Sequence, residues 1–356
     1  MKNRISQELL NTLMDRAVQK KHVHGAVFHV EDTDGSLSLL SSKGNMQADD
    51  RYFIASVTKL YVTAVLLVFR EQKRLNLDDP MIQFFPAGLV EKIHVLDGVD
   101  YTGKITVRHL MANTSGLPDY FSGRVDGHRP QEDLFGGRDE AWPLEKILKR
   151  VRLMRPDFKP GEKRKVRYSD TNYELLGGII ESIAGKPIAE VFREVLFEPL
   201  KLQETYAFQD ETDTKPVPMY YRSNPIHVPK YIASVTAEGG LVSTARETMT
   251  FLKAFFGGTF FPVEQLDELK QWRFNRSPGQ FYFGVGLEKL WVPRLLIPGP
   301  AVGEILGFWG HSGAFAFHHP ASGLYFTGTG NQINGHGHAA MFRMMIRLVR
   351  QAQKGA

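Results

Sequence analysis

The chain has 356 residues, 42% of them apolar and 23% charged, with no cysteine and a net charge of +5. The lack of cysteine excludes disulfides, thiol nucleophiles and cysteine-ligated zinc, and so weak a positive balance leaves no footprint for nucleic acid. No run approaches the roughly 20 apolar residues that span a bilayer, and residues 1–8 lack the apolar stretch of a signal peptide, so the chain reads as cytoplasmic unless a leader precedes this numbering. In chain order, Ile5, Leu9, Leu10, Leu13 and Val18 predict a helix over 5–20. Residues 25–30 and 36–40 read as strands joined through Asp34-Gly35, a hairpin signal. Residues 56–74 contain no Gly or Pro and are apolar on nearly every side from 62 to 69, which predicts a buried helix. Residues 75–80 then read as a turn. Helices are expected at 106–111, capped by Thr106, at 144–154, at 172–184 before Gly185-Lys186-Pro187, at 189–197 and at 245–256. Strand character returns at 281–291, 313–318 and 323–328, the last two split by His319-Pro320-Ala321-Ser322. An amphipathic basic helix, 338–353, closes the chain.

This order implies an α+β fold. The two ends form one antiparallel sheet flanked by the terminal helices, from residues 1–75 and 280–356. A mostly helical part, 76–279, is inserted between them, with a cleft at the junction.

The buried helix carries a hydroxyl and an amine, Ser56 and Lys59, in its first turn. A spacing of three puts both on one face. Burial disfavours a charged amine, and a neutral lysine can take a serine proton. The same pair also reads as a serine cap beside a solvated lysine, because S-x-x-K is common by chance.

Other stretches decide between these readings. Asn113-Thr114-Ser115-Gly116-Leu117-Pro118-Asp119-Tyr120 follows a predicted helix. Tyr168-Ser169-Asp170-Thr171-Asn172-Tyr173 follows Pro160-Gly161. Glu198-Pro199-Leu200 leads to Thr205, Glu238-Gly239-Gly240-Leu241 precedes a helix, and Gly310-His311-Ser312-Gly313 opens a late strand. In this order and spacing the set resembles the serine β-lactamase and penicillin-binding-protein superfamily, in its class C-related branch of esterases and D-amino peptidases. The resemblance spans about residues 20–350. It implies the β-lactamase/transpeptidase-like fold and a serine hydrolase that works through an acyl-enzyme without a cofactor. Ser56 matches the nucleophile, Lys59 its base and Tyr168 the tyrosine that relays protons. The backbone N–H groups of Ser56 and Ala314 match the oxyanion hole, and Asp170, His311, Ser312 and Gly313 stand at substrate-binding positions. The expected partner is a small ester or amide.

Two departures bear on the substrate. Asp170 stands where the family usually has Asn; an ionised Asp cannot donate a hydrogen bond, and paired with Lys59 it opposes that residue's role as a base. His311 stands where many members carry a cation, and a neutral imidazole offers no fixed charge. Both changes weaken the case for a β-lactamase or D-Ala-D-Ala carboxypeptidase and leave ester hydrolysis less affected. Acyl transfer shares the first half-reaction, and a non-catalytic penicillin-binding or sensor module is opposed by the intact Ser, Lys and Tyr. Asn113 replaces a frequent His. His336 and His338, with His22 and His24, match no helical metal-ligand spacing and read as loop residues, so no metal is expected. The basic run 163–167 reads as a solvated face. No G-x-S-x-G surrounds any serine.

Overall fold

The computed structural model describes residues 5–275, 281–292, 299, 301–333 and 335–354. The elements that frame the site are the strands β1 (Gly25–Glu31), β2 (Ser38–Gly44), β3 (Tyr52–Phe53), β4 (Tyr206–Ala207), β5 (Leu241–Ser243), β6 (Arg273–Asn275), β7 (Phe281–Phe283), β8 (Glu288–Leu290), β9 (Leu306–Trp309), β10 (Ala314–His319) and β11 (Leu324–Thr329). The helices are α1 (Gln7–Val18), α2 (Thr58–Glu71), α3 (Val107–Met111), α4 (Asp170–Ala184), α5 (Ala245–Phe256) and α6 (His336–Gln353). Eight strands make one antiparallel sheet in the order β6-β7-β8-β9-β10-β11-β1-β2. The N-terminal hairpin is thus zipped onto the C-terminal strands, with Val27 opposite Thr329 and His29 opposite Thr327.

The period of two divides the sheet's side chains between two cores. Ala26, Phe28, Val30, Phe315, Phe317 and Phe326 face α1 and α6, where Leu10, Met14, Met341 and Met345 meet them. Val27, Ala314, Ala316 and Tyr325 face the opposite core, which contains α2 and α5. Burial on both faces explains why β1 reads as an almost unbroken apolar run rather than an alternation. α2 is buried on every side from Thr58 to Leu67, as its composition requires. Between α2 and β6 the chain is mainly helical, with a second, three-stranded sheet in the order β3-β5-β4.

Several expectations need correction. Residues 281–291 form not one strand but the hairpin β7–β8, turned through Gly286 at φ 68°. Strand β9 was not foreseen because Gly307 reads as a breaker. A Cβ there would lie 1.9 Å from the Ala316 carbonyl oxygen, so the close approach of β10 demands glycine. The large sheet already includes Arg273–Asn275, ahead of the boundary expected near 280. Residues 276–280, across which that boundary fell, lie outside the described residues. The helix expected at 189–197 is an α-turn, Ile188–Phe192, running into a π-turn, Arg193–Phe197. The helices expected at 106–111 and 245–256 form as Val107–Met111 and Ala245–Phe256, with Thr106 and Thr244 as their caps.

Candidate active site

The site begins with how the chain enters α2. β3 pairs with β5, Tyr52 opposite Ser243 and Phe53 opposite Val242. The backbone then reverses at Ala55, which sits at φ 45°, a left-handed conformation costly for a residue with a Cβ. Residues Ala55–Val57 form a 3₁₀ turn and α2 starts at Thr58, so Ser56 lies just ahead of the α-helix rather than within it. That places Ser56 at the positive end of the helix dipole.

Lys59 is fully buried and its ammonium group makes three hydrogen bonds. It donates to Ser56 Oγ at 3.0 Å, to Asp170 Oδ1 at 2.7 Å and to the Glu238 carbonyl at 2.6 Å. The rings of Tyr168 and Tyr173 stand 5.2 and 5.0 Å from the nitrogen. All three N–H bonds are therefore committed, one of them to a carboxylate. Tyr168 donates to Asp170 Oδ1 at 2.8 Å, and its oxygen lies 2.8 Å from Ser56 Oγ. A phenol has one proton. Since Asp170 holds it, Ser56 is the donor in the serine–tyrosine contact. Burial first, then the Asp170 charge, push the Tyr168 phenol well above its usual range.

The Tyr168–Asp170 segment is held by residues whose part was not evident in the sequence. Asn113, left-handed at φ 56°, accepts from the Ser169 amide at 3.2 Å and from Asn172 Nδ2 at 3.0 Å. Its own carbonyl accepts from the Arg167 amide at 2.9 Å. The residue that stands in place of the family's frequent His is thus a clamp on both sides of Tyr168. Asp119 accepts from the Asp170 amide at 3.0 Å, and burial, with the Asp170 charge, pushes its carboxyl up to about 6. Glu174 accepts from the Glu238 amide at 2.9 Å; burial pushes its carboxyl up to about 8. Asp119 and Glu238 both lie within the quoted motifs, so their neighbourhood was the one available signal.

The fourth wall is the turn 310–313. Ser312 donates to the Phe53 carbonyl at 2.6 Å, which ties the start of β10 to the strand leading into Ser56. That proton is thereby spent on the backbone. Gly313 takes φ 93°, and Ala314 opens β10. His311 is exposed at the cleft mouth, its ring edge-on to Phe135 and Phe121 at 5.5 and 6.3 Å. Its imidazole supplies no fixed cation at neutral pH. His336 and His338 belong to the first turn of α6 and not to a loop. His338 Nε2 pairs with the Gly310 carbonyl at 2.8 Å, and His24 Nε2 with the Arg222 carbonyl at 2.8 Å.

Ser56, Asp170, His311, Ser312 and Glu238 line one cleft, with Phe53, Phe121, Tyr231 and Ile232 as its apolar walls. Its cavity is about 80 Å³ and opens to solvent. A groove of about 940 Å³ runs between α1 and α6, across the sheet from α2, and contains none of these residues. Among the described residues no helix is long and apolar enough to cross a membrane.

Comparison with known proteins agrees with this architecture. The Beta-lactamase family model matches residues 10–343. A D-stereospecific amidohydrolase from Streptomyces sp. superposes with a TM-score of 0.75 at 26% identity, over 92% of this chain and 95% of that one. EstCE1, described as a hydrolase with promiscuous acyltransferase activity, superposes at 0.78 and 20% identity over 97% of both chains. The D-alanyl-D-alanine-carboxypeptidase/endopeptidase AmpH of Escherichia coli (strain K12) is 25% identical over 244 residues, 68% of this chain and 58% of AmpH. The chain spans about half the length of the curated relatives it matches. With the family model covering nearly all of it and the amidohydrolase sharing its fold, the chain belongs to the Beta-lactamase family.

Proposed function

We propose that this protein is a serine hydrolase that cleaves small carboxylic esters through an acyl-enzyme on Ser56. The observation that carries this reading is the hydrogen-bond chain from Ser56 through Tyr168 to Asp170, with Lys59 joined to both ends. As Ser56 Oγ attacks the ester carbonyl, its proton passes to the Tyr168 oxygen and the phenolic proton moves to Asp170. The reverse transfer protonates the departing alkoxide. Water then uses the same path to release the acid. Lys59, with its hydrogens committed, holds the serine oxygen and offsets charge rather than accepting the proton. The oxyanion falls to the amides of Ser56 and Ala314; one such donor is worth about 3 kcal/mol in comparable sites.

Esters are favoured over β-lactams because the cleft offers neither the neutral amide donor nor the fixed cation that an anionic β-lactam would use. A missing charge-assisted hydrogen bond costs about 1.5–3 kcal/mol, about tenfold to a hundredfold in rate.

The test is intact mass after mixing with an activated short-chain ester and, separately, with a penicillin. The wild type should gain the acyl mass from the ester and turn it over, and Ser56→Ala should gain nothing. kcat/KM should favour the ester over a chromogenic cephalosporin by about a hundredfold, and His311→Lys should narrow the gap. A Ser56→Ala protein that hydrolyses esters at the wild-type rate, or a wild type that prefers the cephalosporin, removes the proposal.

A further inference from the structure

The catalytic reading leaves the other face of the large sheet without a task. There α6 carries Arg343, Arg347, Arg350 and Lys354, at spacings of four, three and four. That periodicity sets them in one stripe along the helix, about 16 Å long. Arg16 and Lys20 stand four apart on α1, and all six line the groove between the two helices. No Asp or Glu lines that groove among the described residues, and none follows Glu304 in the sequence. Arg16, Lys20, Arg343, Arg347 and Lys354 are exposed and form no ion pair among the described residues. The acids nearest in sequence are engaged elsewhere: Asp15 pairs with Lys43 at 2.9 Å, and Glu304 with Lys289 at 3.0 Å. Six cations exceed the net charge of the whole chain, +5, so the rest of the molecule is close to balanced. Like charges four apart on a helix repel, and this groove repeats that spacing at 16 and 20, 343 and 347, and 350 and 354. Such an arrangement lowers stability unless anions meet it.

Going beyond the hydrolase reading, we infer that this groove seats the protein on the surface of an anionic phospholipid bilayer, with lipid head groups between the two basic rims. The number of cations selects the partner. A single small anion neutralises one or two of these charges, whereas a surface of repeated phosphates meets the whole stripe. Clusters of about four to eight Lys and Arg on an amphipathic helix are the usual footprint of such a surface. The floor separates lipid from nucleic acid. Leu13, Ala17, Ala340 and Met344 lie buried between the rims, an apolar contact for the glycerol and first methylenes of a lipid that a nucleic-acid backbone would not use. No Trp, Tyr or Phe lines the groove, so the aromatic anchors common at protein interfaces are missing. The apolar face of α6 is already occupied, because Met341 and Met345 pack against the sheet. The contact is therefore electrostatic and superficial rather than an insertion, and salt screens it. None of the groove's side chains lines the cleft, so seating leaves Ser56 and its partners as they are.

The test is co-sedimentation of the full chain with vesicles of phosphatidylcholine alone and of phosphatidylcholine mixed with phosphatidylglycerol. The protein should bind the mixed vesicles at low salt, leave the neutral ones, and be released by high salt. Arg343→Gln combined with Arg347→Gln should lower partitioning about tenfold or more. Arg16→Gln combined with Lys20→Gln should do the same from the other rim. Lys163→Gln combined with Lys165→Gln removes equal charge from the exposed basic run 163–167 and should leave binding nearly unchanged. The replaced side chains are exposed, so all three variants should melt with the wild type, and any loss of binding is then a loss of contact. No preference for the mixed vesicles, or an equal loss in the Lys163 and Lys165 variant, overturns the inference. So does polyglutamate or duplex DNA held as tightly at the same salt and released by the same substitutions, since the groove would then serve a different polyanion.

Discussion

At Asp170 one oxygen takes hydrogen bonds from both Lys59 and Tyr168. With Asn there, the tyrosine would still find an acceptor but no base, and the lysine would lose its counter-charge. If the Ser56 proton ends on Asp170, Asp170→Asn should slow ester turnover by about 10²-fold, within the usual range for a lost acid–base group. Tyr168→Phe breaks the same path and should cost about 10²–10⁴-fold. The double variant should be little slower than the worse single one, because residues on one path do not add. Rates from the four proteins on one ester check this. Additive losses, or an Asp170→Asn protein as fast as the wild type, would return the role of base to Lys59. The acidic replacement was visible in the sequence as an obstacle to a lysine base. What the sequence did not show is that Tyr168 would give its proton to the same carboxylate.

On the scale of elements, the site depends on how closely the 310–313 turn approaches the 3₁₀ turn of Ser56. Gly310 makes that approach possible: a Cβ there would lie 2.2 Å from the Ile54 carbonyl oxygen. His338 at the start of α6 holds the Gly310 carbonyl from the other side. Gly310→Ala should push the turn, and with it Ala314, away from the nucleophile. We expect kcat to fall about 10²-fold, the scale of losing an oxyanion donor, with a stability loss of about 1–3 kcal/mol from overpacking. Ester kinetics beside thermal unfolding separate the two effects, and unchanged kcat would show that the turn has no part in the oxyanion hole. The motif Gly310-His311-Ser312-Gly313 was legible as a strand opening. The need for glycine at 310 was not, because it arises from a backbone more than 250 positions earlier in the chain.

For the whole molecule, the cost of the site is a set of buried acids. Burial pushes Glu174 and Glu288 up to about 8, and Glu238 is held well above its usual range. The folded state binds these protons more tightly than the unfolded chain does. Their contribution to stability is complete below about pH 4.5 and is lost as pH rises through about 8. Glu174→Gln and Glu288→Gln should remove that loss. Each variant should exceed the wild type at pH 9 by on the order of 2 kcal/mol, several degrees in Tm, with the advantage fading towards pH 5. Thermal melts across that range decide it, and a wild type whose Tm is as high at pH 9 as at pH 6 would contradict the assignment.

Local pattern was enough for much of this protein. The helical periodicity of α1, the apolar girth of α2, the cap Thr106, and the turns at Gly185 and at residues 319–322 depend on residues a few positions apart, so they can be read from the chain alone. So can the placing of Ser56 and Lys59 on one face, and the order of motifs that identifies the fold. Strand β9, hidden by Gly307, and the small sheet that delivers Ser56 could not be read, because they exist only through partners distant in sequence. The same holds for the chemistry. Ser56 and Tyr168 are 112 positions apart, and Lys59 and the Glu238 carbonyl 179. Which of several polar groups meets which across such distances is set by packing that leaves no room for an unpaired charge, and only the tertiary structure decides it.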